Sequence, residues 1–143
     1  MIEVYLNFPG NAAEAAAFYS KAFGAGAPDL MTYSQLPPGE DDGIPAEMGP
    51  LIMHGNIKTF AGDIMLSDDM PAEGLIPSKA HWILVSDAGH ARLKSAFDAL
   101  SEGGEVIMPL EPTFFSPLYG QLKDRFGFFW MFMDPTPEES LPA

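Results

Sequence analysis

Three histidines are the side chains of this chain best able to move a proton or hold a metal near neutral pH. His54 sits in Met53-His54-Gly55-Asn56-Ile57, a polar break in an otherwise apolar run, and His81 lies in the apolar-rich segment Lys79 to Ser86. Tyr5 and Asn7 alternate within Glu3 to Phe8, so a strand there sets a phenol and an amide on one face. Two imidazoles and a phenol make an incomplete set for a divalent ion. Water would have to complete the shell, and His54 and His81 are the only metal candidates. Against this stands the plainer reading of a half-buried ring satisfied by a carbonyl or hydroxyl. For His81 the two readings stand level, whereas the polar run around His54 tips it towards function. His90, between Gly89 and Ala91, falls on the solvent side of a predicted helix and reads as a surface residue.

Other reactive chemistry is hard to assemble. There is no cysteine, which removes disulfides, thiolate nucleophiles and thiolate metal sites. Ser67 and Ser116 have no evident histidine and acid partners, so no nucleophile and no catalytic residue is assigned. Asp68-Asp69 read as turn residues closing a strand. Phe114, Phe115, Phe126, Phe128, Phe129 and Trp130 form an aromatic-rich hairpin that is mainly core, with Trp130 and Phe115 as candidates for a ligand wall or a dimer contact. Nine methionines supply adaptable walls or ordinary core filler. The candidate ligand-binding set is Tyr5, Asn7, His54, His81 and Trp130.

Acids outnumber bases 20 to 7, for a formal net charge of −13. Such a chain lacks the clustered cations that phosphate backbones or anionic membranes demand, so neither nucleic acid nor membrane is expected as a partner. Met1-Ile2-Glu3-Val4 has no basic region and no apolar signal core, and no apolar run approaches the roughly 20 residues of a membrane span. A cytoplasmic protein is the expectation.

The elements that must position these residues repeat. A strand over Glu3 to Phe8 is broken by Pro9-Gly10. Asn11 is then placed to cap a helix running to Phe23, with Glu14 available for a capping box and Gly24 and Gly26 for the stop. Strands are predicted over 29 to 36, Leu51 to Phe60 and Ile64 to Ser67, with a breaker-rich loop from Pro37 to Gly43. After a linker at 71 to 79 the order returns. Lys79 to Ser86 is a strand, and Asp87 caps a helix whose apolar face is Leu93, Ala96, Phe97 and Leu100. Strands follow over Glu105 to Leu110, Phe114 to Leu122 and Phe128 to Asp134, and the tail from Pro135 is expected to fray. Tyr5 lies six residues before the first cap and His81 six before the second. Strand, helix, strand, strand, strand therefore appears twice, giving an α+β protein of two βαβββ modules. One domain spans 1–143, with modules at about 1–70 and 79–134 and a tail at 135–143. Each module covers one sheet face with a helix and leaves the other for a partner or a ligand, so two sheets together form a cup.

The run Tyr5 to Ala15, then Phe18-Tyr19 and Phe23-Gly24, resembles the opening of PhnB-like proteins. Met53 to Ile57 with Gly62-Asp63 and Leu66 to Asp69, Leu100 to Gly104 with Val106 to Leu110, and Asp124 to Met131 resemble their middle and end. The resemblance covers nearly the whole chain and places it in the glyoxalase, bleomycin-resistance and extradiol-dioxygenase group, the vicinal oxygen chelate superfamily. It implies paired βαβββ modules, often exchanged between the subunits of a homodimer. It also implies four metal-ligand positions on the first and last strands of the modules. Carried over, these fall on Tyr5, Leu66 or Ser67, His81 and Met131. Only His81 suits a divalent ion, so no cofactor is expected, a divalent metal being the lesser possibility. Some PhnB-like proteins are labelled methyltransferases, yet no glycine-rich loop in an alternating α/β chain supports that activity here. The leading expectation is a protein that binds a small molecule in the sheet cup, its physiological role unknown. A metal-dependent isomerase or lyase of glyoxalase type and a ligand-free structural or regulatory dimer are the alternatives.

Overall fold

The computed structural model describes residues 1–40, 43–70 and 72–137. Asp41 and Asp42 of the expected loop, Pro71 of the linker and residues 138–143 of the tail lie outside them. Two compact units are present: Met1–Lys21 with Ala25–Leu75, and Ala22–Gly24 with the residues from Ile76 onwards.

In the first unit, strands β1 (Val4–Phe8), β2 (Asp29–Thr32), β3 (Ile52–Thr59) and β4 (Gly62–Asp68) form one sheet of order β1-β4-β3-β2. The parallel pair is β1 and β4, and the remaining neighbours are antiparallel. Helix α1 (Ala12–Ala22) follows β1. The second unit repeats the plan. β5 (Ile83–Ser86), β6 (Glu105–Glu111), β7 (Tyr119–Lys123) and β8 (Phe129–Met133) take the order β5-β8-β7-β6, with β5 and β8 parallel and α2 (His90–Leu100) after β5. The fold is thus α+β, with βαβββ order in both units. Among the described residues no helix is long and apolar enough to cross a membrane.

Period-two alternation gives each sheet a helix face and an open face. Leu6, Phe8, Ile57, Ile64 and Leu66 are buried in the first sheet, and α1 contributes Ala12, Ala15, Ala16 and Tyr19, each fully buried. The Phe8 and Tyr19 rings meet at 6.4 Å between centroids. In α2 the four apolar positions expected from the sequence are the buried ones, and Phe97 meets Phe132 edge-on at 5.5 Å. Glycine lets the sheets crowd this side. A Cβ on Gly55 would come within 2.7 Å of Leu30 and 2.9 Å of Leu66, and one on Gly120 within 2.9 Å of Phe97 and of the Leu110 backbone. The two glycines correspond: Gly55 pairs with Leu66 on β4, and Gly120 with Phe132 on β8.

Several expectations need correction. Asn11 does not close a capping box, because its Oδ1 is buried without a hydrogen-bond partner. The carboxylate of Asp68, only 1% exposed, takes that role from the end of β4. Its Oδ1 accepts the Gly10 and Ala12 amides at 2.9 Å each, and Oδ2 accepts the Ile52 amide at 2.8 Å. Asp68 is therefore an interior clamp, not a solvated turn residue. Asp87 is not the second cap either. α2 starts at His90 behind Gly89, while Asp87 accepts the Gly89 amide at 2.8 Å and pairs with Arg92. His90 is exposed, as expected of a surface residue, and it also places Nε2 2.6 Å from the buried carboxylate of Asp134, which follows β8. Hydrogen bonds from Thr136 and then from His90 hold the Asp134 carboxyl below the usual carboxylate range.

Three expected strands are shorter, and one of them, expected over Lys79 to Ser86, is only Ile83–Ser86. β2 stops at Thr32, where Tyr33–Gln35 turns as a 3-10 segment with the Gln35 side chain on the Thr32 amide. β7 begins only at Tyr119, because Thr113 to Ser116 closes a turn and the buried Ser116 hydroxyl lies 2.8 Å from the Leu118 carbonyl and 2.9 Å from that of Asp134.

Replacing Asp68 by Ala strands three backbone amides at once, each costing about 1–3 kcal/mol when buried and unpaired. We expect Asp68→Ala to lose about 3 kcal/mol or more in urea unfolding, with an Asp69→Ala control nearly neutral. Equal midpoints for the two variants would contradict the clamp.

Candidate functional site

On β1 the side chains that alternate away from Leu6 and Phe8 are Tyr5 and Asn7. Register carries their face across the sheet. Tyr5 pairs with Met65 and Asn7 with Ser67 on β4, Met65 with Asn56 on β3, and Asn56 and His54 with Asp29 and Met31 on β2. This helix-free face is polar, with two methionines among its amides, phenol and imidazole. The sequence-predicted residues Tyr5, Asn7 and His54 all lie on it.

Tyr5 and His54 meet. The phenol oxygen is 3.5 Å from His54 Nδ1, and the rings are stacked at 5.9 Å with planes 29° apart. Tyr5 remains 47% exposed. Asn7 is braced by the Ser67 hydroxyl, which donates to its Oδ1 at 3.1 Å and so points the amide N–H groups outward. Asn56 donates from Nδ2 to Asp63 at 3.1 Å, whereas its Oδ1 is buried without a partner. Beneath, the Tyr33 hydroxyl donates to the Asp68 carbonyl at 2.8 Å. Burial first, then the charges of Asp69 and Asp68, push that phenol above its ordinary range, so Tyr33 stays a neutral donor. The residue whose carboxylate anchors α1 thus also offers its backbone carbonyl to Tyr33.

His81 and Trp130 lie in the other unit. His81 is exposed and precedes β5, because residues 78 to 82 form a turn. The His81 amide donates to the Ser78 carbonyl at 3.3 Å, and the Trp82 indole to the Lys79 carbonyl at 2.9 Å. Trp130 is fully buried on the helix side of β8, its indole N–H donating to Asp124 at 2.9 Å. The same carboxylate accepts the Phe126 and Phe128 amides and shapes the β7–β8 turn. The open face of this second sheet carries Leu84, Met131, Gln121 and Met108 in one row and Ser86, Met133 and Tyr119 in the next. It carries the thioethers of Met108, Met131 and Met133, where the first face has those of Met31 and Met65.

The register also fixes which residues hold the first- and last-strand positions. Tyr5 pairs with Met65, and Leu84 pairs with Met131 at the same place in the second parallel pair. Leu66 faces α1, fully buried, and the counterpart of Tyr5 is Leu84, not His81. One phenol, two thioethers and an alkyl chain do not fit a divalent ion. Among the described residues no three His, Cys, Asp or Glu side chains gather into a metal-holding group.

Asp68 reads from sequence only as a turn residue, and Asp124 and Asp134 carry no role there, yet these buried carboxylates hold the frame. One signal was present, an aspartate closing the last strand of both modules. Met31, Met65 and Asn56 were also passed over, and only the strand register reveals them.

A family model described as Glyoxalase/Bleomycin resistance protein/Dioxygenase superfamily matches residues 3–132. Protein YjdN of Escherichia coli (strain K12) is 31% identical over 134 residues, covering 89% of this chain and 90% of that protein. The crystal structure of protein PA1353 from Pseudomonas aeruginosa superposes with a TM-score of 0.77 at 32% identity, over 94% of this chain and 96% of that one. A PhnB protein from Bacillus cereus superposes with a TM-score of 0.70 at 24% identity, over 92% and 97%.

The placements of Trp130 and His81 separate in a stability measurement. Trp130→Phe removes a buried indole donor and should cost about 1–3 kcal/mol, whereas His81→Ala should stay within about 0.5 kcal/mol of the parent. A His81→Ala loss equal to that of Trp130→Phe would contradict the exposed position of His81.

Proposed function

The chain belongs to the Glyoxalase/Bleomycin resistance protein/Dioxygenase superfamily, and we propose that it acts as a PhnB-like binding protein that holds a small molecule against the open face of its first sheet. The observation that carries this reading is the Tyr5–His54 contact on a face without a helix, with Asn7 braced beside it. A phenol, an imidazole and an oriented amide supply both donors and acceptors to an incoming molecule. Such groups, half exposed and held by strands, are what a specific polar contact requires. The open face of the second sheet is a separate surface, and it offers thioether contacts from Met108, Met131 and Met133. In this reading Trp130 serves by fixing β8, whose Met131 and Met133 turn onto that face, and His81 offers a peripheral contact ahead of β5.

Tyr5 and His54 also form a phenol–imidazole pair able to pass a proton, which favours metal-free acid–base chemistry of the isomerase or lyase type as the second reading. Turnover abolished by His54→Ala would select it over simple binding.

Native mass spectrometry of the protein equilibrated with a cell metabolite extract tests the first reading. A retained compound should bind Tyr5→Phe, Asn7→Ala and His54→Ala at least about tenfold more weakly, the loss of one or two polar contacts. Melting temperatures should remain close to that of the parent. Full affinity in all three variants would refute the site.

We further propose a homodimer. Each sheet keeps two edge strands, and Leu84, Val106, Met108, Phe114 and Phe115 are exposed in the second unit. Light scattering at micromolar concentration should give twice the 15.5 kDa chain mass, and a 15.5 kDa species alone would overturn the proposal.

A further inference from the structure

The open face of the first sheet carries a donor set unlike that of a hard-metal site. Met31 stands directly opposite His54 on the β2–β3 pair, and Met65 directly opposite Asn56 on the β3–β4 pair. His54 and Met65 are then diagonal neighbours across adjacent strands, a separation that long side chains bridge. Met31, His54, Asn56 and Met65 are all half-buried, neither sealed in the core nor fully solvated. Met48 is the buried core methionine of this unit, so Met31 and Met65 are not its filler.

Two further observations point to a missing positive partner. Asn56 Oδ1 is buried without a hydrogen bond, while its amide nitrogen is fixed on Asp63, so the oxygen cannot turn away without bringing it against a carboxylate. A buried acceptor left unpaired costs about 1–3 kcal/mol, and a cation or a donor on this face relieves it. The Tyr5 hydroxyl sits on His54 Nδ1, which leaves Nε2 as the nitrogen free to ligate, with Tyr5 orienting the ring.

We propose that this face binds a soft monovalent cation of the Cu(I) class through the His54 imidazole and the thioethers of Met31 and Met65, with the Asn56 amide oxygen beside them. The inference rests on the reading of this face as the binding face, and it names a ligand for it. Thioethers select soft ions, whereas one imidazole and one neutral oxygen are too few for zinc, nickel or manganese. A chain carrying a net charge of −13 also favours a cation over an anion at an exposed face.

Ag(I) is the probe, since it shares the charge and softness of Cu(I) and brings no redox step. Silver nitrate is titrated in chloride-free buffer into the full chain carrying 13C-methyl methionine. The expected result is one tight equivalent, with the Met31 and Met65 methyl resonances moving together and the His54 ring signals following. Met31→Leu, Met65→Leu and His54→Ala should each weaken that phase by about tenfold or more, and Zn(II) should bind less tightly than Ag(I) by at least that factor. Met108→Leu and Met131→Leu should leave it unchanged. Leucine conserves volume, so unaltered melting of the Met→Leu variants separates lost ligation from lost folding.

The proposal is overturned by the absence of a tight phase. It is equally overturned by tight binding that persists in Met31→Leu and Met65→Leu, or by shifts confined to Met108, Met131 and Met133. If silver fails while an organic compound still depends on Tyr5 and Asn7, only the cation inference falls. If neither probe reaches this face, the binding face itself falls with it.

Discussion

A buried carboxylate at the end of the last strand governs how each module closes. Strand β4 must run parallel to β1, so the chain leaves β1, forms a helix and returns through two more strands before the pair can form. That path brings the N-terminal end of α1 to the C-terminal end of β4, where Asp68 accepts amides from the helix start and from the start of β3. A helix N-terminus with unpaired N–H groups is a natural seat for negative charge. The second module places Asp134 in the corresponding spot, but with a different partner. There the contact runs to the His90 side chain at the start of α2, and Thr136 supplies the remaining donors. The two modules thus keep a common place for the carboxylate and vary what it holds.

With the helices anchored, the two faces of each sheet have different duties. The helix side admits no bulk at Gly55 or Gly120, and Leu6, Phe8, Leu66, Trp130 and Phe132 are buried there. The open side is free to differ, and it does. Tyr5, Asn7, His54 and Asn56 make the first sheet polar, while the second sets Leu84, Met108, Met131 and Met133 among Ser86, Gln121 and Tyr119. Chemistry in this chain is therefore expected where the frame imposes least.

Much of this frame was legible in the sequence. The repeated strand and helix order, the apolar stripe of α2 and the shared face of Tyr5 and Asn7 follow from periodicity alone. Where the reading failed, non-local hydrogen bonds had displaced local signals. Asn11 and Asp87 both look like caps by residue type, yet Asp68 reaches from a distant strand to do the first job, and Asp87 turns to Gly89 and Arg92 instead of the second. That error moved the apparent counterpart of Tyr5 to His81, when the register of β5 assigns it to Leu84. The contact between Tyr5 and His54 spans strands that are not neighbours, so neither residue's local sequence announces it. Trp130 shows the opposite limit. Alternation assigns it a face, but only the Asp124 hydrogen bond shows that the indole is anchored inside.

Membership of the superfamily fits the doubled fold, and the residues at the strand positions, Tyr5, Met65, Leu84 and Met131, are not a set suited to a divalent ion. The proposed binding depends on the face that carries Tyr5 and His54. A crystal structure of the chain with a compound retained from cell extract tests it most directly. The compound's polar atoms are predicted to lie within hydrogen-bond distance of the Tyr5 hydroxyl and the His54 ring. A compound seated elsewhere, with Tyr5 and His54 still in contact only with each other, would contradict it.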